Sequence, residues 1–189
     1  MFSCIQIWVD AQANLPFPGK VDRASGCGSL VSNQAGSVNP PSKEGFLLAH
    51  SDIPAEKITA YLATDYRFGH GLDRITLRID ARSEALKRLY ASSRYACGVF
   101  LTAYNPLGQA LSLEANEAAH ARLGAELKVL AIEVIEGVGA DPTGAWPEEK
   151  SFFALGVELD AARTLGIRYH QDAIVWVGKD AVPILVVLR

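Results

Sequence analysis

Three short blocks hold most of the side chains that could do chemistry. Thr102–Asn116 reads TAYNPLGQALSLEAN and places Tyr104, Asn105, Gln109, Ser112, Glu114 and Asn116 in and around one connection. Trp146–Phe152 reads WPEEKSF and sets an aromatic ring beside Glu148, Glu149 and Ser151. Tyr169–Val175 reads YHQDAIV and brings His170, Gln171 and Asp172 in front of an apolar run. An asparagine just after a buried strand serves a turn through its own backbone, or presents an amide where ligands bind in α/β sheets. An aromatic ring beside paired acids suits stacking or a cation. Paired carboxylates also suit Mg²⁺ or acid–base work. Ser112 is a good helix N-cap, and Glu114 and Glu117 suit a first helical turn. Those two acids would repel an anion there. Asn116 follows one turn later, where asparagine is a poor helix former, so a specific partner accounts for it as well as chance does.

These residues are compatible with three functions. The preferred one is binding of a small polar or nucleotide-like ligand by Tyr104, Asn105, Asn116, Trp146, Glu149, Ser151 and Gln171, which requires the blocks to meet in space. The second is metal-assisted hydrolysis by Glu114, Glu148, Glu149 and His170. The third is nucleic-acid binding through the Arg67–Arg94 stretch, whose seven cations (Arg67, Arg74, Arg78, Arg82, Lys87, Arg88, Arg94) face only Asp73, Asp80 and Glu84. Stacking aromatics are thin there, with Tyr90 and Tyr95. The closeness of His170 and Asp172 would suit a base and its orienting acid, although sequence neighbours in a loop rarely form such a pair. No phosphate loop, dinucleotide fingerprint, zinc spacing or nucleophile elbow is present. No cofactor is therefore expected, and the residues leave open whether the chain is an enzyme.

The elements that must position these blocks follow from periodicity. Ser51 or Asp52 can cap a helix over Pro54–Thr64, with Ile58, Tyr61 and Leu62 as its apolar stripe. Phe68–Gly71 reads as a turn, and Arg74–Asp80 alternates as a half-buried strand. Ser83 caps a helix over Glu84–Ala91. Gly98–Tyr104 is a continuous apolar run, the mark of a central strand. A long helix follows over about Leu113–Leu127, then an alternating strand over Val129–Ile135. Gly137–Lys150 reads as a long connection with a tight Asp141-Pro142-Thr143-Gly144 turn. Ser151–Val157 is a strand and Asp160–Tyr169 a helix. Ala173–Val177 and Val182–Leu188 form a hairpin, with Pro183 favouring an edge position. The fold expected is α/β or α+β, with a mixed sheet of five to six strands and three to four packed helices.

Composition sets further bounds. The chain has 189 residues, 49% of them hydrophobic, and a net charge of −3, which suits a packed core and does not by itself favour nucleic acid or an anionic membrane. No run is long enough for a membrane span. Cys4, Cys27 and Cys97 form no framework or metal spacing, and Cys97 reads as a buried small hydrophobe. A reducing, cytoplasmic setting fits this usage. Residues 1–50 are rich in Pro, Gly, Ser and Asn, and are expected to be a poorly ordered extension that the remaining domain, 51–189, does not need.

The spans Phe100–Asn116, Trp146–Phe152 and Tyr169–Val175 resemble domain-of-unknown-function family 3293, with the likeness running from about Ile58 to the C-terminus. The resemblance implies a small bacterial α/β domain and carries no catalytic residue across. Its pattern of an aromatic-Asn-Pro turn, a Ser before a Glu-x-Asn helix start, a Trp-x-Glu-x-Ser-Phe block and a Gln-x-Ala-Ile strand start falls on Tyr104, Asn105 and Pro106; on Ser112, Glu114 and Asn116; on Trp146, Glu148 or Glu149, Ser151 and Phe152; and on Gln171, Ala173 and Ile174. The Pro-Glu-Glu-Lys between Trp146 and Ser151 leaves open which glutamate fills the acidic position.

Overall fold

The computed structural model describes residues 52–93, 95–144 and 146–189. The expectation for residues 1–50 therefore lies outside the described residues. In chain order the elements are α1 (Ala55–Ala63), β1 (Asp65–Phe68), β2 (Ile75–Leu77), α2 (Glu84–Ser92), β3 (Gly98–Thr102), α3 (Leu113–Leu130), β4 (Glu133–Ala140), β5 (Glu149–Leu155), α4 (Leu159–Arg168), β6 (Ala173–Val177) and β7 (Pro183–Val187). Short 3₁₀ turns precede β2 and follow β3. Among these residues no helix is long and apolar enough to cross a membrane.

Two helix starts follow local chemistry. The Ser83 hydroxyl accepts from the Leu86 amide at 3.2 Å, and that of Ser112 from the Ala115 amide at 3.2 Å. Each satisfies one donor that the first turn leaves open. The start of α1 corrects the expectation. Pro54 is its N-cap and no side chain caps it, Asp52 included.

The strands form one sheet in the order β2-β1-β4-β5-β3-β6-β7. Every pairing is antiparallel. The α+β alternative is thus the one adopted, with more strands than expected and no parallel neighbours. The crossovers explain why helix–strand alternation suggests a mixed sheet. α3 joins β3 to β4, which run the same way, but β5 lies between them. α4 likewise joins β5 to β6 across β3. Each crossover links parallel strands that never become neighbours, the split β-α-β arrangement.

Strand alternation sends side chains to two apolar layers. Val99, Leu101, Phe152, Ala154 and Ile174 pack with Leu123 and Leu127 of α3 and Leu165 of α4. Phe100, Phe153, Val175 and Leu185 pack on the other face with Leu86 and Tyr90 of α2, and with Ile58, Tyr61 and Leu62 of α1. On that face the Phe68 and Phe153 rings stack at 4.2 Å. Cys97 is buried at the edge of this region, as a small hydrophobe would be. The hairpin β6–β7 and the edge position of β7, which begins at Pro183, match expectation.

Several boundaries differ; β2 ends at Leu77 where the alternation runs to Asp80, and β5 begins at Glu149, before Ser151. β1 is not legible as a strand in the sequence, because four residues are too few to display a period; its pairing with both β2 and β4 makes it one. α3 continues to Leu130, past its last buried residue Leu127. The run Lys128–Ile135 satisfies a helix end and a strand start equally well, and Val129 stays 80% exposed. β4 then extends through Gly137 and Gly139, where the sequence suggests a loop. Gly137 is needed where it lies: a Cβ there would sit 2.6 Å from the Arg67 carbonyl oxygen and 2.9 Å from the Phe100 ring.

Gly137→Ala should therefore destabilise the protein by about 2 kcal/mol through overpacking against a fixed backbone. Gly139→Ala, where the nearest atom would be Thr64 Cγ2 at 3.9 Å, should be close to neutral. Paired urea denaturation of the two variants measures the difference, and equal midpoints would contradict this packing.

Candidate functional site

β3 ends where β5 and β6 begin. α1 crosses the sheet near this point and leaves a cavity of about 320 Å³ between helix and sheet. Phe100, Val175 and Leu185 contribute apolar surface, and Tyr61, Tyr66, Tyr104 and Trp146 contribute aromatic surface. Tyr104, Asn105, Trp146, Glu149, Ser151 and Gln171 all line it. The three sequence blocks therefore share one space. Asn116, the seventh candidate, does not line the cavity. It lies on α3, buried, and holds Asn105.

The Asn105–Asn116 contact is reciprocal. Asn116 Oδ1 accepts from the Asn105 backbone amide at 3.0 Å, and Asn116 Nδ2 donates to Asn105 Oδ1 at 2.9 Å. The same Asn105 oxygen accepts from the Leu111 amide at 3.2 Å. Asn105 Nδ2 donates to Glu149 Oε1 at 2.7 Å. Asn105 sits in the left-handed region at φ 47°, which asparagine tolerates better than most residues. Leu107 (φ 54°) and His170 (φ 52°) share that conformation, and the Leu107 amide donates to the His170 carbonyl at 2.7 Å. Such backbone strain concentrates where surrounding contacts over-determine the chain.

Gln171 ties the third block to the first, its amide donating to the carbonyls of Tyr104 and Tyr169 at 3.2 Å each. The Thr102 hydroxyl donates to the Lys150 carbonyl and accepts from the Tyr104 amide. The Ser151 hydroxyl is turned to the Glu149 carbonyl at 3.1 Å. The Tyr104 phenol donates to Glu117 at 2.7 Å. Burial first, and then that carboxylate, push it up to about 12, so it stays a donor at neutral pH.

Two residues of α1 complete the cavity and do not stand out in the sequence. Lys57 and Tyr61 lie one turn apart on one side of the helix, a spacing that could have flagged them. Asp172 Oδ2 accepts from Lys57 Nζ and from the Tyr61 hydroxyl at 3.2 Å, and Oδ1 accepts from Arg189 Nε at 2.5 Å. Its side chain is 1% exposed. Burial opposes its ionisation, but the hydrogen bonds from Arg189 and Lys57, with their charges, outweigh that and hold it below the usual carboxylate range. Burial first, with Asp172 and Glu149 next, pushes the Tyr61 phenol upward. Gly108 makes room for the Lys57 ammonium, which lies where a Cβ would stand.

The other candidate chemistries lose their geometry. His170 is exposed, and Asp172 is engaged by cations, so the two form no base–orienter pair. Glu114 is exposed in the first turn of α3, and Glu148 pairs with Arg67 at 3.3 Å. Among the described residues no three His, Cys, Asp or Glu side chains are placed to hold a metal. The basic stretch is partly neutralised: Arg67 and Arg78 both pair with Asp65, and Arg82 pairs with Glu84. Arg94 lies outside the described residues.

Asp172→Asn should destabilise the protein by roughly 3 kcal/mol, the low end for breaking a buried pair, because Lys57 and Arg189 still reach water. The folded pKa of Asp172 is depressed, so its contribution is complete above the unfolded carboxylate value and fades as pH falls through the folded one. Stability against pH in the acid range should be flatter for the variant, and parallel curves would refute the assignment. Asn105→Ala and Asn116→Ala should each cost about 2 kcal/mol, and the double variant little more than either single one, since each removes the same buried bonds. Additive losses in urea melts would show that the pair is not a unit.

A sequence family described as a protein of unknown function, DUF3293, matches residues 101–174. No curated protein and no solved structure matches the chain. The matched span takes in all seven candidate residues and Asp172, and leaves out Lys57 and Tyr61 of α1. Over the segment that supplies most of the cavity wall, the chain resembles that family.

Proposed function

We propose that the cavity binds a small organic molecule with a flat apolar part, such as an aromatic ring or a nucleobase, and polar groups that meet its rim. The convergence of three separated polar blocks on one concave, largely apolar space carries this reading. The size suits a ligand of that class. The apolar floor supplies affinity by burial, and Glu149, Asn105 and Gln171 supply direction. The protein fixes these groups before any ligand arrives, which lowers the ordering cost of binding. A reducing, cytoplasmic setting and a bacterial source are part of the same proposal, on the cysteine usage and the family resemblance.

Trp146 is 43% exposed, so Trp146→Ala should barely alter the melting temperature of the free protein. Ala173→Leu adds bulk inside the cavity. In a thermal-shift screen of nucleosides, aromatic acids and aromatic amines, at least one compound should raise the wild-type melting temperature by several degrees. Both variants should lose that rise. A rise that survives in both variants, or a screen in which no compound stabilises the wild type, would refute the proposal.

A further inference from the structure

The charged groups at the cavity narrow the ligand class. Asp172 is consumed: three donors occupy its two oxygens and its side chain is 1% exposed. The group presented to the cavity there is the Lys57 ammonium, whose side chain is 29% exposed. One of its N–H donors is spent on Asp172, and no other acceptor is in hydrogen-bond reach among the described residues. Glu149 also lines the cavity; it accepts from Asn105 through Oε1, and no cation pairs with it among the described residues. An ammonium and a carboxylate thus line one aromatic-walled space, and they are not paired with each other.

We propose, resting on the binding reading above, that the ligand is a zwitterion: an apolar or aromatic body whose acidic group meets Lys57 and whose ammonium meets Glu149. An aromatic amino acid is the simplest member of this class. Lys57 keeps Asp172 and Glu149 keeps Asn105 in the free protein, so a singly charged ligand would use the remaining donors of one or the remaining acceptor of the other, while a zwitterion would use both, and charge-assisted hydrogen bonds are the stronger kind. Asn105 then acts as a positioning residue, since its amide aims Glu149 and its own oxygen is fixed by Asn116 and Leu111.

Four probes with nearly the same body separate the charges: phenylalanine, 2-phenylethylamine, 3-phenylpropionate and 2-phenylethanol. Binding to the full-length protein is read from the indole N–H resonance of Trp146, assigned with Trp146→Phe. Phenylalanine should bind at least about tenfold more tightly than either singly charged probe, and 2-phenylethanol most weakly. Glu149→Gln keeps a partner for Asn105 and should reduce phenylalanine to the affinity of 3-phenylpropionate. Lys57→Met should reduce it to that of 2-phenylethylamine, and if Lys57→Met unfolds, the Glu149→Gln comparison decides alone. If a singly charged or neutral probe binds as well as phenylalanine, the zwitterion inference falls and the cavity reading stands. If no probe moves Trp146, the inference also falls, and the cavity reading then rests on the wider thermal-shift screen alone.

Discussion

Just past the point where β3 leaves the sheet, Asn116 accepts the Asn105 backbone amide and donates its side-chain amide to Asn105 Oδ1, which also accepts the Leu111 amide. A polar turn that crosses from a central strand to a packed helix must find partners for its backbone, because unmet groups there cost about 1–3 kcal/mol each. This pair supplies them. It leaves the Asn105 side-chain amide to donate to Glu149, and the neighbouring Tyr104 carbonyl accepts from Gln171. The three polar blocks are connected there, through Asn105 to Glu149 and through the Tyr104 carbonyl to Gln171, with Thr102–Lys150 and Leu107–His170 bonds beside them. The cavity edge is therefore built from bonds that the fold itself requires.

The same economy appears around Asp172. Asp172 is buried at the start of β6 and would be costly there alone. Lys57 from α1 and Arg189 from the C-terminus enclose it, and Tyr61 adds a hydroxyl. The cluster anchors both α1 and the chain end to the sheet. It also turns a cation toward the space that α1 roofs. Structural bonds and candidate ligand contacts are thus different faces of the same side chains, which is why neither description replaces the other.

Among the described residues the arrangement gives the metal and nucleic-acid readings no support, although the residue types are present. Glu148 and Glu149 are neighbours in sequence, but successive residues at a strand start point to opposite faces. Glu149 meets Asn105 on the cavity side, while Glu148 meets Arg67. Two of the arginines that suggest a phosphate-binding face are drawn into pairs with Asp65, a carboxylate of a strand too short to be seen in the sequence.

Local chemistry along the chain was enough to locate the helix starts at Ser83 and Ser112, the central position of β3, the β6–β7 hairpin with its edge strand, and six residues of the cavity wall. Each depends on interactions within about one turn or one pleat, or on an apolar run that has no other place to go. Only the folded arrangement settled β1, the point where α3 stops and β4 begins, and the pairing that keeps every strand antiparallel. These depend on which neighbour arrives alongside. It also placed Asn116 outside the cavity lining, bonded to Asn105, and Lys57 and Tyr61 within that lining. A carboxylate near the end of the chain and a lysine near its described start meet only after the sheet has formed between them. No spacing along the chain can encode a contact of that kind.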